Sequence, residues 1–200
     1  MAVKIKYIKC LITLTFTFFS FIGFSQNYEL SDSSSITING TSTLHDWTVS
    51  VENQTCEITI IFKKKTKTIL KNGSLSNILL NILVKDIVSK KGETMDKKAH
   101  KALKIDKFPV INFKLIHPVK FDLIDNNSIL KNLSGVLSIA GVEKPITAII
   151  NIKYINERLS LSGTLPLKLS DFNIEPPTAM FGQIETGNDI IVNINLEYRI

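Results

Sequence analysis

Beyond residue 25 the chain has one cysteine, Cys56, and one tryptophan, Trp47. A single cysteine cannot close an internal disulfide, whatever the redox state of the compartment. His45, His100 and His117 are scattered without metal-ligand spacing, and no cysteine pair supplements them, so no metal centre is expected. The sequence also lacks a nucleophile elbow, a phosphate-binding loop and a zincin motif. Nothing therefore favours an enzyme, and no cofactor is implied. Fixed-period repeats, low-complexity linkers and shifts of composition are missing as well, and no internal domain boundary is placed.

An apolar run long enough to span a membrane, about 20 residues, is also lacking. The nearest is Cys10 to Phe24, which follows Lys4, Lys6 and Lys9 and ends in the small residues Gly23 and Ser25. A positive start, a short apolar stretch and small residues before Gln26 predict a cleaved signal peptide over residues 1–25. Cys10 lies too early, directly behind Lys9, to be a lipoprotein lipidation site. The expected domain is then 26–200, exported to the periplasm or the cell exterior. The formal charge of +6 loses three lysines and no acid with that segment, leaving +3. So mild a charge supports no nucleic-acid partner.

What remains is dominated by period-two alternation. In RLSLSGTLPLKLS, Leu159, Leu161, Gly163, Leu165, Leu167 and Leu169 share one face, with Ser160, Ser162, Thr164, Pro166 and Lys168 opposite. Ile190 to Ile200 and Trp47 to Glu52 alternate in the same way. Strands apolar on one face and polar on the other belong to antiparallel sheets. Asn72-Gly73 predicts a type I′ hairpin, Asn126-Asn127 and Ala140 to Pro145 separate further strands, and Pro166 marks an edge or bulge. Six to nine strands follow. Only Glu93 to Lys104 changes period: Met95, Ala99, Ala102 and Leu103 fall at helical spacing, Thr94 is the expected N-cap, and four lysines form the opposite, wet face. Cys56 shares parity with Ile58, Ile60 and Phe62 and reads as a buried, inert thiol. Ser31 to Ser35 read as a flexible entry segment, and Lys63 to Lys65 with Lys67 as a solvated strand end.

Four elements in order resemble the YceI-like family: TSTLHDW from Thr41, KFPVINF from Lys107, LSIAGVEKPI from Leu137 and SDFNI from Ser170. Asn173 stands where that family has glycine, and MDKKAHKALKID replaces its Leu-rich, double-Phe segment. The resemblance implies an all-β, antiparallel lipocalin-like β-barrel of about eight strands with one short helix. It also implies non-catalytic binding of an isoprenoid or other long-chain amphipathic lipid in an apolar cavity. The expected ligand-binding residues are His45, Trp47, Phe113, Leu165, Phe172, Met180 and Phe181. His45 shares the parity of Trp47 and reads as a polar anchor or as a core-edge histidine bonded to backbone. Met180 and Phe181, in the Pro- and Gly-containing loop 176–189, read as a portal touching ligand or as a plug on the barrel end. The rival function is a structural or partner-binding β domain whose core is filled by side chains. An outer-membrane barrel fits less well, since aromatic girdles are missing. Membrane-surface contact and the oligomeric state, a homodimer included, stay open.

Overall fold

Alternation becomes strand pairing along nearly the whole chain in a computed structural model, which describes residues 26–28, 30–66, 69–123 and 127–200. The expected signal peptide, Lys67 and Asn126 lie outside the described residues. The first strands are β1 (Gln26–Tyr28), β2 (Ser35–Ser42), β3 (Trp47–Val51), β4 (Gln54–Ile61), β5 (Lys64–Lys65), β6 (Leu70–Leu83) and β7 (Ile87–Ser89). Helix α1 (Glu93–Ala102) follows, then β8 (Val110–Leu115), β9 (Val119–Leu123), β10 (Ser128–Ile139) and β11 (Val142–Ile155). The chain ends with β12 (Arg158–Lys168), β13 (Thr178–Ala179) and β14 (Ile184–Arg199). Fourteen strands replace the expected eight or so, because β1, β5, β7 and β13 are too short to carry a readable alternation.

The main path runs β1-β4-β6-β8-β10-β11-β12-β14-β2-β3-β7, and each pairing in it is antiparallel. The result is one curled, lipocalin-like sheet with its apolar face inward. Near one end the segment after β1 spans from β4 toward β14: Tyr28 pairs with Ile58, and Leu30 bridges Tyr198. The serine segment is an ordered turn there, not a flexible entry. Ser31 N–H donates to the Glu197 carbonyl at 2.7 Å, and Ser33 Oγ donates to Glu197 Oε2 at 2.6 Å. Serine hydroxyls readily bond nearby backbone and polar groups, which is why this segment settles against β14.

Turn chemistry explains the other differences. Asn72-Gly73 is no hairpin; it lies inside β6, where the register against β9 shifts between Leu70 and Gly73. Asn72 takes a φ of 50°, and its N–H is accepted by Asp122. The same backbone preference that suits a type I′ turn here produces a bulge. The β10–β11 hairpin turns on Ala140 and Gly141 alone, so Val142 to Pro145 belong to β11. Asn156 and Glu157, both at positive φ, turn β11 into β12. The Pro166 expectation holds. β12 pairs with β11 only as far as Thr164, which leaves Pro166 paired solely with β14, where its missing N–H costs no ladder bond.

The N-cap of α1 lies two residues earlier than expected: it is Gly92, at φ 93°, and its carbonyl accepts from Met95 and Asp96. Thr94 is inside the helix. Asp96 Oδ1 accepts from Ser89 N–H at 2.6 Å and His100 Nε2 meets the Ile87 carbonyl at 2.9 Å, which fixes the helix against β7.

The inward face is not uniform. At the end where β11 turns into β12, Ile58, Ile60, Leu70, Leu75, Ile152, Tyr154, Leu159 and Tyr198 are completely buried. Toward the other end the same strands face a cavity. The interior is therefore solid at one end and hollow at the other.

Candidate functional site

The cavity has a volume of about 340 Å³. Its walls come from the same parity that the sequence displays. On β12, Leu161, Leu165 and Leu167 face it, and Leu165 is 8% exposed. Ser160 and Ser162, expected in solvent, are half-buried on the outer face between β11 and β14. Ile78, Leu80 and Ile82 of β6 and Ile190, Val192 and Ile194 of β14 face the same space.

Two aromatic walls depend on glycine. Gly40 pairs directly with Trp47, and a Cβ there would lie 2.2 Å from the indole. The Trp47 ring therefore lies flat across β2, and its Nε1–H donates to the Thr41 carbonyl at 2.9 Å. Gly135 makes the same space for Phe113, at 2.2 Å from its ring. A glycine beneath an aromatic lets the ring cover the neighbouring strand instead of standing off it. Phe172 is buried in the 3-10 turn Leu169–Phe172, and Asn173 follows at φ 52°, the left-handed conformation that the family's glycine supplies. Lys104 Nζ donates to the Asn173 carbonyl at 3.1 Å, tying the end of α1 to this corner.

Trp47, Phe113, Leu165 and Phe172 thus share one cavity. His45 borders the cavity, where a polar anchor would stand, but it does not point into the apolar interior as parity predicted. It is exposed in the loop between β2 and β3, on the cavity rim, with its ring against Lys91 Nζ. Parity failed there because the Ser42 hydroxyl turns the loop, donating to the His45 carbonyl at 2.6 Å and accepting from the His45 N–H. Met180 and Phe181 do not line the cavity. They are 64% and 109% exposed, at the tip of the β13–β14 hairpin, with φ of 50° and 55°. Neither the portal contact nor the plug describes them. The loop does contribute to the wall, through Pro177, Thr178, Ile184 and Thr186 near the hairpin's base.

The sequence reading missed α1 as a cavity wall. Met95, Ala99, Ala102 and Leu103 line it, and so does half-buried Lys98, which the pattern assigned to the wet face. The spacing that marked an amphipathic helix was the available signal.

Cys56 lies deep in the wall, where burial pushes its thiol up to about 11. The Tyr198 hydroxyl is beside it, raised strongly by the same burial and without a well-aligned hydrogen-bond partner. Both stay protonated at neutral pH, so the expected inert thiol fits. Among the described residues, no group of three or more His, Cys, Asp or Glu could hold a metal ion. No helix among them is long and apolar enough to cross a membrane.

The model of the YceI-like domain matches residues 28–198. This chain belongs to the YceI-like family. Solved structures agree with the fold. A polyisoprenoid-binding domain from Saccharophagus degradans is similar at a TM-score of 0.60 and 14% identity, covering 86% of this chain and 97% of that one. BcnA of Burkholderia cenocepacia also has a TM-score of 0.60, with 13% identity over 82% of this chain and 95% of its own. The YceI protein of Campylobacter jejuni reaches 0.52 at 21% identity, covering 71% and 79%. No curated protein matches this sequence. For this YceI-like chain the family and the fold are thereby in place.

Proposed function

We propose that this YceI-like protein binds the chain of an isoprenoid or fatty-acyl lipid non-covalently, outside the cytosol, as a carrier or store. The observation that carries the reading is a cavity of about 340 Å³ walled almost entirely by aliphatic and aromatic side chains. Small-molecule sites typically occupy on the order of 300–1,000 Å³ and are lined in this way, with a few polar groups. Burial of each methylene contributes roughly 0.8 kcal/mol, so a chain of modest length binds without any strong polar contact. The polyisoprenoid named for the Saccharophagus degradans domain supports the isoprenoid class. Location outside the cytosol rests on Lys4, Lys6, Lys9 and the apolar run 10–24.

No residue set around the cavity has the arrangement of a nucleophile and base, and its one thiol is held protonated. Binding without catalysis is the simplest use of such a space. Trp47 tests it directly, being the sole tryptophan and a wall residue. Titration with a long isoprenoid alcohol should shift or quench its emission to saturation, and the change should persist at high salt. An unresponsive Trp47 would argue for a β domain with no ligand.

A further inference from the structure

The cavity stops at one level on four strands. Cys56 of β4, Ile150 of β11, Leu161 of β12 and Leu196 of β14 all face it. Two residues further toward the solid end, Ile58, Ile152, Leu159 and Tyr198 are completely buried and stand outside its wall. The step is level between neighbours: Leu161 pairs with Leu196, and Leu159 with Tyr198. The exposed wall residues, His45, Lys91, Lys168 and Thr178, are all at the other end. The cavity therefore has one mouth and one floor. The floor is also tied down. Tyr154, which pairs with Leu159, donates its hydroxyl hydrogen bond to the Thr66 carbonyl at 3.0 Å. Tyr28 pairs with Ile58, and Leu30 bridges Tyr198. A chain pressing on this layer would have to disturb strand pairing and close packing, not merely turn a side chain.

The size of this closed space follows from the strands. Along β12 the wall runs from Leu161 to Lys168. At about 3.3 Å per residue and a barrel tilt of roughly 35–45°, that stretch is about 16–19 Å deep. An extended chain advances about 1.1–1.2 Å per bond, as the polypeptide backbone does, so the depth takes about 15 bonds. The volume of about 340 Å³ gives a similar figure. It holds about 11 groups at the roughly 30 Å³ of a liquid water molecule, a size near that of a methylene. We propose that the cavity measures chain length: it takes up about 11–15 chain carbons, and the layer of Ile58, Ile152, Leu159 and Tyr198 sets that limit. A longer lipid is held by one end, with the rest of its chain outside the mouth. This deepens the lipid-binding reading and rests on it.

The test titrates the purified protein with straight-chain fatty acids, each below its micelle concentration, and follows Trp47 emission. One head group throughout the series keeps its contribution constant. From about 8 carbons upward each added methylene should tighten binding up to about fourfold, the equivalent of roughly 0.8 kcal/mol. Between about 11 and 15 carbons the gain should stop, because further methylenes stay in water. Ala148→Phe adds a ring to the wall of the hollow end and should move the break at least about two carbons shorter. Leu159→Ala opens the floor and should move it about two to three carbons longer, if the variant folds. Affinity that keeps rising past about 16 carbons, or a break that stays in place in every variant that folds, overturns the proposal and leaves the lipid-binding reading intact. If no chain of any length binds, the lipid-binding reading falls and this proposal with it.

Discussion

Leu159 and Leu167 lie on one strand and one face, yet the same truncation should cost very different amounts. Leu159 is in the solid end of the interior, 0% exposed, paired with Tyr198 on one side and Tyr154 on the other. Leu167 borders the cavity and is only partly buried. Leu159→Ala removes three carbons from close packing among residues that are themselves locked, so transfer and cavity terms both apply. A loss of about 2–5 kcal/mol is expected. Leu167→Ala removes a group that already faces empty space, so little new void is created and dispersion contacts are fewer. Its cost should stay below about 1.5 kcal/mol, the lower part of the range for mutations generally. Urea unfolding followed by Trp47 emission measures both, provided the m-value is unchanged. Equal losses would mean that the interior is packed alike from end to end, and the distinction between floor and cavity would be wrong.

Gly135→Ala should destabilise by about 1–3 kcal/mol, because its Cβ meets the Phe113 ring and the Lys114 carbonyl, and backbone cannot step aside; thermal unfolding reads it, and an unchanged midpoint would refute the contact. Phe181→Ala should change neither lipid affinity nor melting temperature, since the ring touches no cavity wall; weaker Trp47 titration would restore the portal reading. Alkaline pH should destabilise the protein. As pH rises past the ordinary 9.0 of a thiol and 10.0 of a phenol, the unfolded chain ionises while buried Cys56 and Tyr198 do not. At pH 10 the thiol alone accounts for about 1.4 kcal/mol, and Cys56→Ala should flatten the fall in urea midpoint between pH 8 and pH 10.

The barrel was legible because Leu159 to Leu169 and Ile190 to Ile200 alternate without interruption, and burial of one face leaves only one register for such strands. Trp47, Phe113, Leu165 and Phe172 come together for the same reason. What parity could not reveal was decided by local polar bonding or by depth. Ser42 folds the His45 loop outward, Asp122 holds Asn72 in a bulge, and Ser31 to Ser34 clamp onto Glu197. Depth along a strand has no sequence period, so Leu159 and Leu167 look alike although one is packed and the other borders the cavity. Lys98 was misassigned because a helix face bordered by lysine stems reads as wet until the opposing wall is known.

Extraction of the purified protein with organic solvent, followed by mass spectrometry, tests lipid binding most directly. About one long-chain isoprenoid or fatty-acyl molecule per protein should be recovered, and it should displace, or be displaced by, the alcohol that Trp47 reports. An extract without such a lipid, from protein whose Trp47 does not respond to any added chain, would contradict lipid binding by this cavity.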